Sequence, residues 1–486
     1  VYNIKTNNQI NCSDLHRFFS ISNFSIVEKE AKNLNKWEFI AQAGKINIEG
    51  ADIKIPEFKL KRVAKLDKES SKIIKNKLNQ DNLTRKQMCE KIGITPRQLR
   101  RVLNQEWPTS IDVLDNLQSY TGNQILQIAP VLSYKHRDLK MPEFLTSNLA
   151  QIFGYFIGDG NLGERGLRFR DARIGVLEHY NSLFKEIFNV SGSITPVSGK
   201  NCYNLSINSK EISDLFALML PNLLNNIGRS KCKTVISFVK GFVDAEGHIN
   251  KKRAYITVVQ KNAKVLRYAQ LFLLRAGIRS NIKFNIGQKK MNVLRIIDKD
   301  VKNYLQIGFT AEDKQKRLLE CVRDQKNTYS YEIMPILRKE LVELLKTCNL
   351  KPFSIIKSRP SEYKWVSRNE LESAFNALMN LKISDRQIKQ KIDFIFNILN
   401  GEIKFEKIRE INVSENKDNL FYDFSVPSKE NYIANGFIVH NSTYRMYFRR
   451  GKGGSRVAKL IDSPNLPDNE CQFFLTGKGI KDEEGE

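Results

Sequence analysis

The chain has 486 residues, with 79 lysines and arginines against 53 acidic residues and a formal net charge of +26. That length exceeds what one hydrophobic core organises, so several domains are expected, and the positive surface favours polyanionic partners, nucleic acid foremost. No apolar run reaches the roughly 20 residues that span a bilayer, the opening VYNIKTNNQI lacks a signal-peptide pattern, and the seven cysteines are scattered without a CxxC pair, which argues against structural zinc and disulfides. A soluble, intracellular protein without a membrane partner is expected.

Residues 1 to 60 read as short strands: VYNIKT, RFFSISN and WEFIAQA cluster β-formers between Asn, Ser and Gly breaks. From Lys68 the texture turns helical. LTRKQMCEKIGITPRQLRRVLNQ holds two amphipathic segments around Gly93-Ile94-Thr95, with Thr95 placed as an N-cap and Pro96 at the first helical position. This is helix-turn-helix grammar, and it assigns residues 68–130 to a DNA-binding module.

Between residues 141 and 325 helix and strand alternate in two copies of roughly 90 residues, an internal duplication. The first copy opens on a helix ending Gly154-Tyr155-Phe156-Ile157-Gly158-Asp159, the second on one ending Gly241-Phe242-Val243-Asp244-Ala245-Glu246. Small residues four apart, Gly154 with Gly158 and Gly241 with Ala245, leave a flat stripe on which two helices can approach closely. Asp159 and Glu246 would then meet at the helix ends. Two carboxylates so placed cannot both stay ionised without a cation, which calls for a hard divalent metal such as Mg²⁺. Such a site activates water for phosphodiester cleavage.

Residues 326–400 read as helical and basic. From Gly401 the β texture returns (EIKFEKIREINV, NLFYDFSV, NYIANGFIV), so 1–60 and 401–441 are expected to be halves of one interrupted domain. After Ser442 the character changes again.

The paired helix ends resemble the LAGLIDADG motifs of homing endonucleases. The resemblance implies a duplicated αββαββα fold, catalytic and metal-binding roles for Asp159 and Glu246, and a double-stranded DNA substrate with a long target site, expected in a host gene lacking the insertion. It also implies a lysine that polarises water; Lys316, Lys314 and Lys233 are the candidates by position, with Lys316 foremost. The segment FYDFSVPSKENYIANGFIVHNS resembles the C-terminal block of inteins, and Ser13-Asp14-Leu15-His16 resembles their Thr-x-x-His block. This resemblance implies a β-rich splicing domain of the Hint type that needs no cofactor. In it Asn441 cyclises onto its own carbonyl, His440 assists as general acid, Ser442 receives the acyl group, Asp423 couples the steps and His16 activates the upstream junction. Since the chain opens at Val1 with no Cys or Ser at the expected distance before His16, the first nucleophile is expected in preceding sequence, which is therefore a partner in complete splicing.

The helix-turn-helix resembles Cro/repressor-type domains, with Arg97, Gln98, Arg100 and Arg101 on its recognition helix. Residues 442–486 resemble the C-terminal end of archaeal RadA recombinases. No GxxxxGK[ST] phosphate loop occurs, so ATP binding is expected only of a reassembled host protein, and a recombinase ATPase reading of the chain is disfavoured. The remaining alternative is a nucleic-acid-binding maturase or regulator of the same fold without nuclease activity.

Overall fold

A computed structural model describes residues 1–56, 63–104, 109–122, 128–131, 139–250, 254–297, 299–323, 333–356, 364–415, 426, 430–440, 445–462, 469–476 and 479–482. Two compact units divide the chain. One comprises Val1–Ile46, Gly277–Ile282 and Gln325–Glu486; the other Asn47–Ala276 and Lys283–Asp324.

In the first unit, strands from the two ends of the sequence interleave. Phe39–Ala43 lies between Ile403–Lys407 and Phe437–His440, and Phe437–His440 in turn neighbours Arg17–Ser22, with Ser25–Glu30 at the edge. A second, three-stranded sheet orders Gln9–Cys12, Tyr2–Lys5 and Glu410–Val413. The alternating burial of Arg17–Ser22 follows the two-residue period of a half-buried strand. Ile4, Ile10, Phe18, Ile40, Ile408, Phe437 and Val439 form one core, so residues some 400 positions apart exclude water together. Asn435 and Gly436 both have positive φ, which matches the right-handed strand twist in a two-residue hairpin turn and fixes Ala434 opposite Phe437.

One further core belongs to this unit. Leu341, Leu345, Leu371, Leu378 and Ile395 pack the helices Arg338–Thr347, Arg368–Met379 and Arg386–Asn400. The helical reading of 326–400 omitted one strand pair, Ile333–Leu337 with Trp365–Ser367, antiparallel. At the C-terminal end Arg445–Arg450, Arg456–Asp462, Asn469–Thr476 and Gly479–Lys481 make a four-stranded meander.

The second unit begins with residues that sequence alone placed in the first β segment. The Ile55 and Leu145 amides donate to the carbonyls of Glu143 and Ile53, and the Ala51 amide to that of Arg229. These backbone bonds, not local propensity, put the boundary at Ile46 instead of residue 60. Helices Lys68–Gln80, Arg85–Ile92, Pro96–Leu103 and Ile111–Tyr120 follow, around Ile74, Met88, Leu99, Val102, Leu114 and Leu117. Thr84 with Gln87 and Thr95 with Gln98 close reciprocal capping boxes, satisfying amides that each helix start leaves unpaired. Val63–Leu66, Thr109–Ser110 and Ile128–Val131 add a three-stranded sheet that the helical reading of 68–130 omitted.

The duplicated part follows. Its first copy runs helix Ser147–Asp159, strands Gly160–Gly163 and Gly166–Asp171, helix Ile174–Phe188, strands Ser193–Pro196 and Tyr203–Ile207, and helix Lys210–Met219. The second runs helix Cys232–Glu246, strands Gly247–Asn250 and Tyr255–Gln260, helix Ala263–Arg275 and strands Asn281–Ile286 and Met291–Ile296, then helices Lys299–Asn303 and Glu312–Arg323. Each copy carries one four-stranded antiparallel sheet with its two later strands on one side of the opening hairpin.

Candidate active sites

The helices Ser147–Asp159 and Cys232–Glu246 meet at their glycines. A methyl group on Gly154 would sit 2.1 Å from the Phe238 carbonyl oxygen, and one on Gly241 2.0 Å from that of Gln151. Backbone therefore lies on backbone, the close approach that small residues four apart permit. One turn further on, the same construction at Gly158 lies 2.5 Å from Ala245 Cβ and 3.0 Å from Glu246 Cγ. The two acidic helix ends are thus side by side.

Their electrostatics follow from that crowding. Burial, then the Asp159 charge, push the Glu246 carboxyl up to about 7, against the opposing pull of Lys314. Asp159 keeps solvent on one side, yet desolvation by the helix pair and the nearby Asp171 carboxylate raise it too, while Lys314 and Arg173 draw it down. Both acids also face the negative end of their own helix dipole. The Gln260 amide donates to Glu246 Oε1 at 3.0 Å.

Lys314 is the lysine that reaches this site. Its ammonium donates to the Asp244 carbonyl at 2.7 Å, and burial, then Arg173, lower it to about 8. Lys316, two residues on and so roughly 200° round the helix, is exposed, and Lys233 is exposed at the opposite end of the Glu246 helix. The foremost sequence candidate is therefore corrected to Lys314.

Sequence reasoning also missed the groups behind the pair. Asp171 ends the second strand of its copy as Gln260 does in the other. Burial works to raise its carboxyl, but the guanidinium and amide of Arg173 and the Tyr155 hydroxyl hold it below the usual range, through bonds of 2.8–2.9 Å. Asp244 is fully buried; it accepts from the Tyr180 hydroxyl at 3.0 Å and from the Thr310 amide at 2.8 Å. Tyr155 and Tyr180 stack at 4.0 Å. The duplication itself was the available signal for Asp171 and Gln260; nothing local singles out Lys314 from the other two candidate lysines.

Among the described residues no three or more His, Cys, Asp or Glu side chains are placed to hold a metal. Two carboxylates with elevated proton affinity nevertheless suit a hard divalent cation that completes its oxygen shell with water and phosphate, the usual habit of Mg²⁺.

In the other unit, Val439 is the register partner of Phe18; His440 ends its strand, and His16 immediately precedes the neighbouring strand Arg17–Ser22. The His16 ring packs edge-on against Phe18 at 5.3 Å, and the His440 ring lies 6.3 Å from Phe19, with its Nε2 3.6 Å from a Glu430 carboxylate oxygen. Asp423, Asn441 and Ser442 fall outside the described residues. On the helix Pro96–Leu103, Arg97, Arg100 and Arg101 are exposed. Gln98 is not wholly free for a partner, since its Oε1 accepts from the Thr95 amide at 2.7 Å and hydroxyl at 2.8 Å.

Comparison with known proteins gives two family matches, the intein splicing domain over residues 1–441 and Rad51 over residues 412–483. The glutamine–fructose-6-phosphate aminotransferase of Methanocaldococcus jannaschii is 28% identical over 478 residues, 91% of this chain and 41% of that protein. The DNA repair and recombination protein RadA of Methanococcus voltae is 51% identical over 53 residues, 11% of this chain and 16% of that protein. The chain thus spans less than half the length of these relatives. Among solved structures, the homing endonuclease I-DmoI in complex with DNA and Mn is similar at 25% identity and a TM-score of 0.29, over 34% of this chain and 97% of that one. With a splicing-domain match across all but its last 45 residues, the chain belongs to the intein splicing domain family.

Proposed function

We propose that the chain is a self-splicing element that also cuts double-stranded DNA. The observation that carries the nuclease reading is the meeting of Asp159 and Glu246 at the end of a glycine-tight helix pair with Lys314 beside them. A divalent cation held by the two carboxylates would supply charge to the scissile phosphate and acidify water. Gln260 orients Glu246, and Lys314, titrating near 8, is the side chain that holds or releases a proton beside the reacting phosphate. The mostly basic surface brings the duplex in, and Arg97, Arg100 and Arg101 of the helix-turn-helix add phosphate or base contacts. The partner is a long duplex site in an uninterrupted host gene.

The splicing reading is supported by the family match and by the pairing of the strand that follows His16 with the strand that ends in His440. His16 serves the upstream junction, His440 assists Asn441 cyclisation, Asp423 couples the steps and Ser442 takes the acyl group. Relatives with unrelated names share different extents of this chain: an aminotransferase shares nearly all of it and a RadA protein 53 residues, while the Rad51 match covers residues 412–483. That pattern suits an inserted element followed by part of a recombinase host, whose ATP chemistry is not carried here.

Incubation of the chain with Mg²⁺ and plasmids carrying the candidate host gene tests the nuclease: linear product is expected, and none from Glu246→Gln. Binding without cleavage by the unmutated chain would instead favour a regulator or maturase. Asn441→Ala is expected to abolish release of the segment beginning at Ser442; release at the unmutated rate refutes the assigned cyclisation.

A further inference from the structure

On the sheet of the second copy, the strand Met291–Ile296 alternates half-buried and buried side chains. Arg295 thus shares the outer face with Val293, opposite Thr257 and Val259 of the neighbouring strand. On the three strands Gly247–Asn250, Tyr255–Gln260 and Met291–Ile296, it is the one Lys or Arg. Its guanidinium carbon stands 4.6 Å over the Tyr255 ring, and the Tyr255 hydroxyl accepts from the Asn250 amide at 3.1 Å. Its Nε is sealed from solvent and has no hydrogen-bond partner.

Three other arginines of this unit are already engaged. Arg275 donates to the carbonyls of Gly228, Ser230 and Ile48, Arg173 to Asp171, and Arg170 Nε to Asn204. Among the described residues Arg295 is held by its stack on Tyr255, which engages the face of the guanidinium and leaves its terminal Nη groups for a planar partner. An arginine held by its face on the outer side of an antiparallel sheet has the geometry for bidentate donation to O6 and N7 of guanine in the major groove, the commonest specific arginine contact. Its neighbours Val293, Val259 and the Thr257 methyl have no charge with which to hold a phosphate, and suit the apolar edge of a base.

We propose that Arg295 is a specificity-determining residue that selects one guanine of the DNA target. This rests on the DNA-cutting reading above and deepens it.

Selection of bound duplexes from a randomised pool by the full chain tests it. The unmutated chain is expected to enrich one consensus, and Arg295→Ala to lose a guanine preference of roughly tenfold to hundredfold at a single position, with every other position retained. Arg295→Lys, which keeps the charge but not the fork, is expected to lose the same preference while keeping most of the affinity. Two results overturn the proposal: an unchanged consensus for Arg295→Ala, or an affinity loss equal for all bases, which would assign Arg295 to a phosphate. A failed pool, with no duplex enriched by the unmutated chain, would overturn the DNA-cutting reading itself and Arg295's role with it.

Discussion

Replacing Glu246 with glutamine is expected to stabilise the cation-free protein while it removes cleavage. The Glu246 carboxyl moves from 4.5 in an open chain to about 7 in the fold. At about 1.36 kcal/mol per pH unit, the folded state loses up to about 3 kcal/mol when this group ionises. A carboxyl that holds its proton more tightly when folded costs nothing below pH 4.5, where it is neutral in both states. The penalty grows as pH rises through 4.5 to 7 and is complete above that window. Glutamine stays neutral throughout and keeps an oxygen for the Gln260 amide. In EDTA the variant should therefore melt with the unmutated protein near pH 4.5, and above it by several degrees at pH 8. Mg²⁺ should close the gap by raising the unmutated midpoint alone, since only a ligand of the folded carboxylates stabilises. Calorimetry resolves the transition of the unit carrying the site. An equal or lower midpoint for Glu246→Gln at pH 8 without cation refutes the crowding of the two acids.

Lys314→Met is expected to depress cleavage by two orders of magnitude or so and Lys316→Met to leave it within a few-fold, by rates on the same plasmid; equal losses would contradict the assignment. Gly154→Ala and Gly241→Ala force a methyl onto a carbonyl oxygen at about 2 Å, so each should cost ~2 kcal/mol or more by overpacking, read as a lowered midpoint for the same transition. Arg97→Ala and Arg101→Ala should each lower the salt dependence of DNA affinity by about one unit of slope, measured by titration at several salt concentrations.

Much of this arrangement is legible in sequence because it repeats or because its turn chemistry is local. Gly154 with Gly158 and Gly241 with Ala245 announce the helix contact twice over, and Asn435-Gly436 between β-formers announces its hairpin. What escaped depends on contacts distant in the chain. Lys314 joins Glu246 only through the turn that the buried Asp244 holds at Thr310, and no spacing rule separates it from Lys316. Residues 51–55 pattern like the strands before them, but their backbone partners are Glu143, Leu145 and Arg229. The strand Ile333–Leu337 contains Pro335 in a short apolar run, where period cannot separate strand from helix, and its pairing is irregular there. Gln98 looked free for DNA because a capping glutamine and a base-reading one occupy the same helical turn.

The most direct trial of the paired-carboxylate account follows supercoiled plasmid, carrying the enriched duplex, through a time course with Mg²⁺. Linear DNA should accumulate with the unmutated chain, while Glu246→Gln binds the site with similar affinity and yields none. A plasmid left supercoiled by the unmutated protein, or linearised equally fast by Glu246→Gln, would contradict it.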